Sequence, residues 1–148
     1  MDILLVEDNP NDAELAMLAL RRARFGGEVA HAEDGLAAFE MLGLRDGAAA
    51  AELRLPRVIF LDLKLPKVDG LQVLERLKSD ARTQAVPVVM LTSSQERSDV
   101  EAAYRLGVNS YIVKPVNFDE YQAAMASLAT YWTRLNQPCH PVPADPAG

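Results

Sequence analysis

Five short, continuously apolar runs recur along this chain, each followed by a polar turn and then a stretch with helical period. The runs cover residues 3–6, 28–32, 58–61, 88–91 and 110–113, the second being the weakest. Runs without polar alternation suit parallel strands covered on both faces, whereas half-exposed sheets alternate. The stretches between carry helix signals. Asn9 or Asn11 can cap a helix through about residue 24, with Gly26 and Gly27 to end it. Its core stripe is expected to be Leu15, Ala16, Ala19, Leu20 and Ala23. Leu36, Phe39, Met41 and Leu42 mark a second helix, Leu71, Leu74 and Leu77 a third, and Val100, Ala103, Tyr104 and Leu106 a fourth. The last helix runs from residue 118 to about 135, after a looser Ala-rich connection at 43–57 earlier in the chain. Five β-α units in succession predict a doubly wound α/β sandwich.

Composition narrows the function. The 148 residues suit one domain with a proper core. With 15 Lys and Arg against 21 Asp and Glu the net charge is -6, which argues against broad, salt-driven nucleic-acid binding. Cys139 is the sole cysteine, so no intrachain disulfide is possible, and His31 and His140 are too few for a Cys/His zinc cage. No apolar run approaches the roughly 18 residues of a membrane span, and no basic-then-apolar stretch opens the chain. A soluble, cytoplasmic protein of one domain is the expectation. Residues 136–148 carry four prolines, at 138, 141, 143 and 146, and are expected to form a flexible or loosely extended tail.

In an open parallel sheet the loops at the carboxyl ends of the strands form the site. Here those loops hold Glu7 and Asp8, Asp62, Thr92 and Ser93, and Lys114 and Pro115. Three carboxylates, a hydroxyl and an ammonium thus converge on one edge. Carboxylates so placed repel unless a cation joins them, and an all-oxygen donor set points to Mg²⁺ rather than Zn²⁺. With Lys114 and Thr92 added, the inventory suits stabilising a phosphoryl group.

Leu4-Leu5-Val6-Glu7-Asp8-Asn9, Phe60-Leu61-Asp62-Leu63-Lys64-Leu65-Pro66, Asp69-Gly70, Leu91-Thr92-Ser93 and Tyr111-Ile112-Val113-Lys114-Pro115 resemble the motifs of response regulator receiver domains. The likeness spans residues 2 to about 135, which delimits a receiver domain over 1–135 and a tail over 136–148. It implies a flavodoxin-like (βα)5 fold with strand order 2-1-3-4-5. It further implies that Asp62 accepts a phosphoryl group from a sensor histidine kinase. Asp8, Asp62 and the backbone carbonyl of Lys64 would hold Mg²⁺, with Glu7 reaching it through water. Lys114 would pair with a phosphoryl oxygen, often from a cis Lys114–Pro115 bond. Thr92 and Tyr111 would form the switch, the ring moving inward once Thr92 is drawn to the phosphoryl group.

Asn9-Pro10-Asn11-Asp12, the long connection before the third strand, and the run from Leu77 to Val88 resemble a subgroup of stand-alone receivers. Members of that subgroup are often partnered with phytochrome-type kinases and are commonly homodimers. Two apolar excesses suggest interfaces. Met17 and Leu18 fall outside the expected stripe of the first helix, where a kinase could dock. Tyr131 and Leu135 widen the apolar face of the last helix, where a second copy could pack through the helix-four, strand-five, helix-five face. His31 reads as a partly exposed sheet residue, and nothing near Cys139 and His140 would orient a nucleophile and base.

Other functions fit less well. A phosphorelay intermediate would use the same residues and pass the group to another histidine. A Mg²⁺-dependent aspartyl-phosphate phosphohydrolase needs a general acid two residues after the nucleophile, where this chain has Lys64. A flavodoxin-like electron carrier needs a phosphate-cradling Ser/Thr/Gly run in the first loop, which instead reads Glu7-Asp8-Asn9-Pro10. The expectation is a switch with a protein partner downstream, rather than an enzyme.

Overall fold

A computed structural model describes residues 1–143. Strands β1 (Ile3–Val6), β2 (Val29–Ala32), β3 (Val58–Leu61), β4 (Val88–Thr92) and β5 (Ser110–Val113) alternate with helices α1 (Pro10–Arg22), α2 (Gly35–Leu42), α3 (Gly70–Ser79), α4 (Arg97–Arg105) and α5 (Phe118–Thr130). All strand pairs are parallel, in the order β2-β1-β3-β4-β5. This is the expected flavodoxin-like winding.

The pleat sends successive side chains to opposite faces, so each central strand serves two cores. Ile3, Leu5, Val58, Phe60, Val89 and Leu91 face α1 and α5, where they meet Ala16, Leu20, Tyr121 and Met125. Leu4, Val6, Ile59, Leu61, Val88 and Met90 face the other layer, packing on Ala38, Leu42, Leu74, Leu77 and Ala103. All four residues of β1 and of β3 are buried, which explains their unbroken apolar runs. The edge strands β2 and β5 are only half-buried and read correspondingly more weakly.

Several boundaries and faces differ from expectation. Asn9, not Asn11, caps α1, its side chain accepting from the amides of Asn11 and Asp12. The helix ends at Arg22, and Arg24 takes the left-handed conformation (φ 57°) before the glycines are reached. The buried face of α1 is Ala13, Ala16, Ala19 and Leu20, while Leu15 is 43% exposed. Small residues let α1 lie close to the sheet and α5, and that rotates Leu15 outward. Met17 is half-buried against the same core, and Leu18 is also half-buried, so neither lies on a fully solvated side. In α4 only Ala103 is buried, and Tyr104 is exposed. After Thr130, α5 continues as a wider helical turn over Tyr131–Leu135.

Chain 136–143 runs back across the amino ends of β1 and β3. His140 Nε2 lies 2.7 Å from the Pro56 carbonyl, and the Arg57 guanidinium donates to the Pro143 carbonyl at 2.5 Å. This part of the expected flexible tail is therefore docked on the domain, through its own His140 ring and through Arg57. The rest of that tail, 144–148, lies outside the described residues. No helix among the described residues is long and apolar enough to cross a membrane.

Candidate functional site

Each strand of the central three ends on a residue of the candidate site or delivers one just beyond its end. β1 delivers Glu7, which is buried, and Asp8, which is exposed; β3 delivers Asp62, half-buried. One carboxylate oxygen from each of the three lies within 4.8 Å of the others. No histidine or cysteine joins them, so the donor set is all oxygen and suits a hard divalent cation. The three carboxylates that the sequence places at strand ends are thus close together in space.

Lys114, just past β5, spans the cluster. Its Nζ is 2.8 Å from Glu7 Oε1, 3.6 Å from Asp62 Oδ2 and 3.8 Å from Asp12 Oδ2. Burial pushes the Glu7 carboxyl up to about 7, with the Asp62 charge adding to the rise and the Lys114 hydrogen bond opposing it. Burial alone would lower Lys114, but the bond to Glu7 and the charges of Asp62, Glu7 and Asp12 carry it upward, so it stays an ammonium. The Lys114–Pro115 bond is trans, since no cis peptide occurs among the described residues, contrary to what the resemblance implies. The ammonium reaches Asp62 without it.

The other wall of the site comes from the β3–α3 and β4–α4 loops. The amide of Lys64 donates to Asp62 Oδ1 at 3.3 Å, which turns the loop back over the carboxylate. The loop is closed by α3: the Gly70 amide donates to the Leu63 carbonyl at 2.9 Å. A Cβ on Gly70 would stand 2.2 Å from the Asp62 carbonyl, so only glycine admits that approach. Asp69 and Gln72 close a capping box on the same turn. Thr92 is buried at the end of β4, and its hydroxyl accepts from the Ser94 amide at 3.4 Å. Asp62, Lys64, Thr92 and the loop Ser93–Glu96 enclose a recess of about 430 Å³.

Tyr111 on β5 is half-buried and its hydroxyl donates to the Ser94 carbonyl at 2.9 Å. Thr92 and Tyr111 therefore act on one loop from two sides, the first through Ser94's amide and the second through its carbonyl. Ser94 also donates from its hydroxyl to Asp99 at 2.5 Å, tying that loop to α4. Burial raises the Tyr111 hydroxyl above its ordinary range, so it remains a donor.

The model of the family described as "Response regulator receiver domain" matches residues 3–126. The chain belongs to that family. Among curated relatives, this receiver is 42% identical over 135 residues to "Probable methanogenesis regulatory protein FilR2" of Methanothrix harundinacea, covering 91% of this chain and 85% of the relative. It is 37% identical over 130 residues to "Response regulator Rcp1" of Synechocystis, covering 88% and 87%. The solved Mn²⁺-bound form of Rcp1 superposes with a TM-score of 0.80, at 34% identity over 92% of this chain and 96% of that one. "Bacteriophytochrome response regulator RtBRR" is 50% identical, with a TM-score of 0.70 over 92% of this receiver and 82% of its own chain.

Two residues beside the site escaped the sequence reading. Asp12 faces Lys114 from the first turn of α1, and Leu15 lines a cleft of about 410 Å³ with Lys114, Val116, Phe118 and Tyr121. The signal for Asp12 was its place in the first turn after the acidic loop; Leu15 gave none, because its periodicity points into the core. Of the expected interface residues, Tyr131 is 48% and Leu135 70% exposed. Tyr131 stands edge-on to Trp132, with ring centroids 4.8 Å apart.

Proposed function

We propose that this receiver is a phosphorylation switch that takes a phosphoryl group from a sensor histidine kinase onto Asp62. The observation that carries the reading is Lys114 set between Glu7 and Asp62 beside a recess bounded by Thr92. An Asp62 oxygen forms the new P–O bond as the P–N bond to the kinase histidine breaks. The imidazole leaves with that electron pair and takes up a proton. Lys114 compensates charge on the phosphoryl oxygens, and the Thr92 hydroxyl donates to one of them.

Asp8, Asp62 and the Lys64 carbonyl would hold Mg²⁺, with Glu7 acting through water. The Mn²⁺-bound state of Rcp1 and the all-oxygen cluster support this reading. The ion supplies charge neutralisation for a phosphoryl group arriving among three carboxylates. Drawing Thr92 toward the new group pulls on the loop that Tyr111 also holds, so the signal emerges at α4 and β5. That output surface meets an unidentified downstream protein. Relay of the group to another histidine would use the same site and is the second reading.

The likeness to RtBRR and to the solved "Phosphorylated Cyanobacterial Phytochrome Response Regulator RcpA" supports a place in red-light signalling, paired with a phytochrome-type kinase. FilR2, at comparable identity, belongs to a different regulatory setting, so pairing with light rests on partner experiments. The kinase helices would meet the Leu15, Val116 and Phe118 cleft beside Lys114, with Met17 and Leu18 further along α1. The exposed Tyr131 and Leu135 would bury themselves against a second copy, giving a homodimer.

Incubation with acetyl phosphate and Mg²⁺, followed by intact-mass measurement, tests the central claim. The wild type is expected to gain one phosphoryl group and Asp62→Asn none. No gain by the wild type breaks the reading. Met17→Glu with Leu18→Glu should slow transfer from a kinase while sparing acetyl phosphate. Sedimentation of Tyr131→Glu with Leu135→Glu should show a lower mass than the wild type, and an unchanged mass would remove the dimer face.

A further inference from the structure

His31 belongs to β2, the edge strand, in register with Leu5 of β1. Nothing local in the sequence gives its ring a partner. In the folded chain its Nε2 lies 2.7 Å from the backbone carbonyl oxygen of Glu7. The ladder between the strands stops just short of that oxygen, with the Glu7 amide donating to the Ala32 carbonyl at 3.0 Å. A carbonyl past the end of a ladder needs another donor, and the imidazole supplies it. Facing a carbonyl oxygen, Nε2 is the nitrogen that carries the proton and donates.

The carbonyl in question is half of the peptide unit joining Glu7 to Asp8. The ladder holds the Glu7 amide on one side of it. The Asn9 amide, donating to Glu7 Oε2 at 3.2 Å, holds the chain on the other. Turning about the Glu7 Cα–C bond, which moves that carbonyl, would carry the next residue with it and so shift the exposed Asp8 carboxylate relative to Asp62, just past β3. The His31 bond opposes that rotation.

We propose that His31 is a positioning residue for divalent-cation binding, fixing the Glu7–Asp8 peptide plane so that the Asp8 carboxylate stands ready against Asp62. This rests on the reading of Glu7, Asp8 and Asp62 as a cation site. A ligand held in place before the ion arrives loses less freedom on binding, and partners that orient ligands are worth measurable affinity. His31 touches neither ion nor phosphoryl group, so it contributes nothing to the chemical step itself.

Mn²⁺ is a direct probe, since the spectrum of the free ion in solution reports how much the full chain has bound. His31→Ala is expected to weaken Mn²⁺ binding about fivefold, the worth of one ordinary hydrogen bond. His31→Gln, whose amide can donate to the same carbonyl, is expected to restore affinity to within about twofold of the wild type. Val29→Ala removes packing from the same strand without touching the Glu7 carbonyl, and should lower the metal-free melting temperature while leaving Mn²⁺ affinity unchanged. Equal affinity in His31→Ala and wild type overturns the proposal, as does an equal loss in Val29→Ala or no rescue by Gln. A wild type that binds no Mn²⁺ overturns the cation reading itself and the role of His31 with it.

Discussion

At the amino ends of the strands Asp2 and Arg57 are both buried and meet at 3.3 Å, whereas at the carboxyl ends Glu7, Asp12 and Asp62 all lie within 4 Å of one lysine, Lys114. The first region gives its charged groups hydrogen-bond partners within the fold. Asp80 accepts from Arg76 at 2.6 Å and from Arg82 at 2.7 Å, and the Lys78 ammonium donates to the carbonyls of Gln84 and Val86 and to Asn109 Oδ1. His140 and Pro143 fold down over the same end. The second region leaves negative charge in excess and opens a recess beside it. A buried charge left without its partner costs several kcal/mol, so breaking a pair at the matched end is costly. On the proposed reading, the unmatched end keeps negative charge that a divalent cation would neutralise.

The largest effect should come from breaking the matched end. Arg57→Ala would leave Asp2 buried with its main counter-charge gone and remove the donor to Pro143. A loss of about 3 kcal/mol is expected, read as a shift in the urea midpoint, with the amino-end amides exchanging faster. A loss comparable to that of an exposed surface pair would mean that water reaches Asp2 and that the two ends are less different than the geometry implies.

Gly70→Ala strikes the unmatched end, but through packing rather than charge. The added Cβ would stand 2.2 Å from the Asp62 carbonyl and 2.6 Å from Leu63 Cα, both on backbone that cannot swing aside. A cost of about 2 kcal/mol is expected. Acetyl-phosphate labelling of Asp62 should slow as well, because the strand end must shift to make room. Normal labelling at reduced stability would show that the Asp62 loop tolerates displacement.

Asp80→Asn should cost about 1.5 kcal/mol at neutral pH, since two arginines lose a charged acceptor. The two guanidiniums hold the Asp80 carboxyl well below its ordinary value of 3.8. Its folded pKa is thus lower than its unfolded one, so the stability it contributes is complete above about 4 and drains away as pH falls further. Wild-type acid unfolding should be steeper below that point than unfolding of the Asn variant. Parallel curves would put the acid sensitivity elsewhere.

Much of this contrast is legible in the amino-acid sequence itself. The carboxyl-end groups each sit at the end of an apolar run, and a parallel sheet must gather such positions on one edge. Glu7, Asp8, Asp62, Thr92 and Lys114 therefore follow from topology alone. The strands β1 and β3 are plain because both of their faces are covered. What stays hidden depends on partners distant in sequence. His31 finds the Glu7 carbonyl, His140 the Pro56 carbonyl, and Asp12 the Lys114 ammonium only after the strands have paired. Helical period assigns Leu15 to the core because period alone cannot say which of two apolar flanks a helix buries. The small Ala13, Ala16 and Ala19 decide it by allowing α1 close to the sheet.

The smallest stability effect reverses sign, which makes it the sharpest probe of the mismatch. Asp8 is exposed and shares its 4.8 Å cluster with two further carboxylates. In metal-free buffer, Asp8→Asn removes one charge from that repulsion and should stabilise the fold by about 0.5 to 1 kcal/mol. Saturating Mg²⁺ should reverse the ranking. An ion that binds only the folded chain stabilises it by mass action, and the wild type keeps the full donor set while the variant does not. Melting both proteins in chelator and then in Mg²⁺ reads the two signs directly. If the variant were the less stable in both, the carboxyl-end carboxylates would be satisfied by Lys114 alone. The charge at that end would then be as matched as it is at the other.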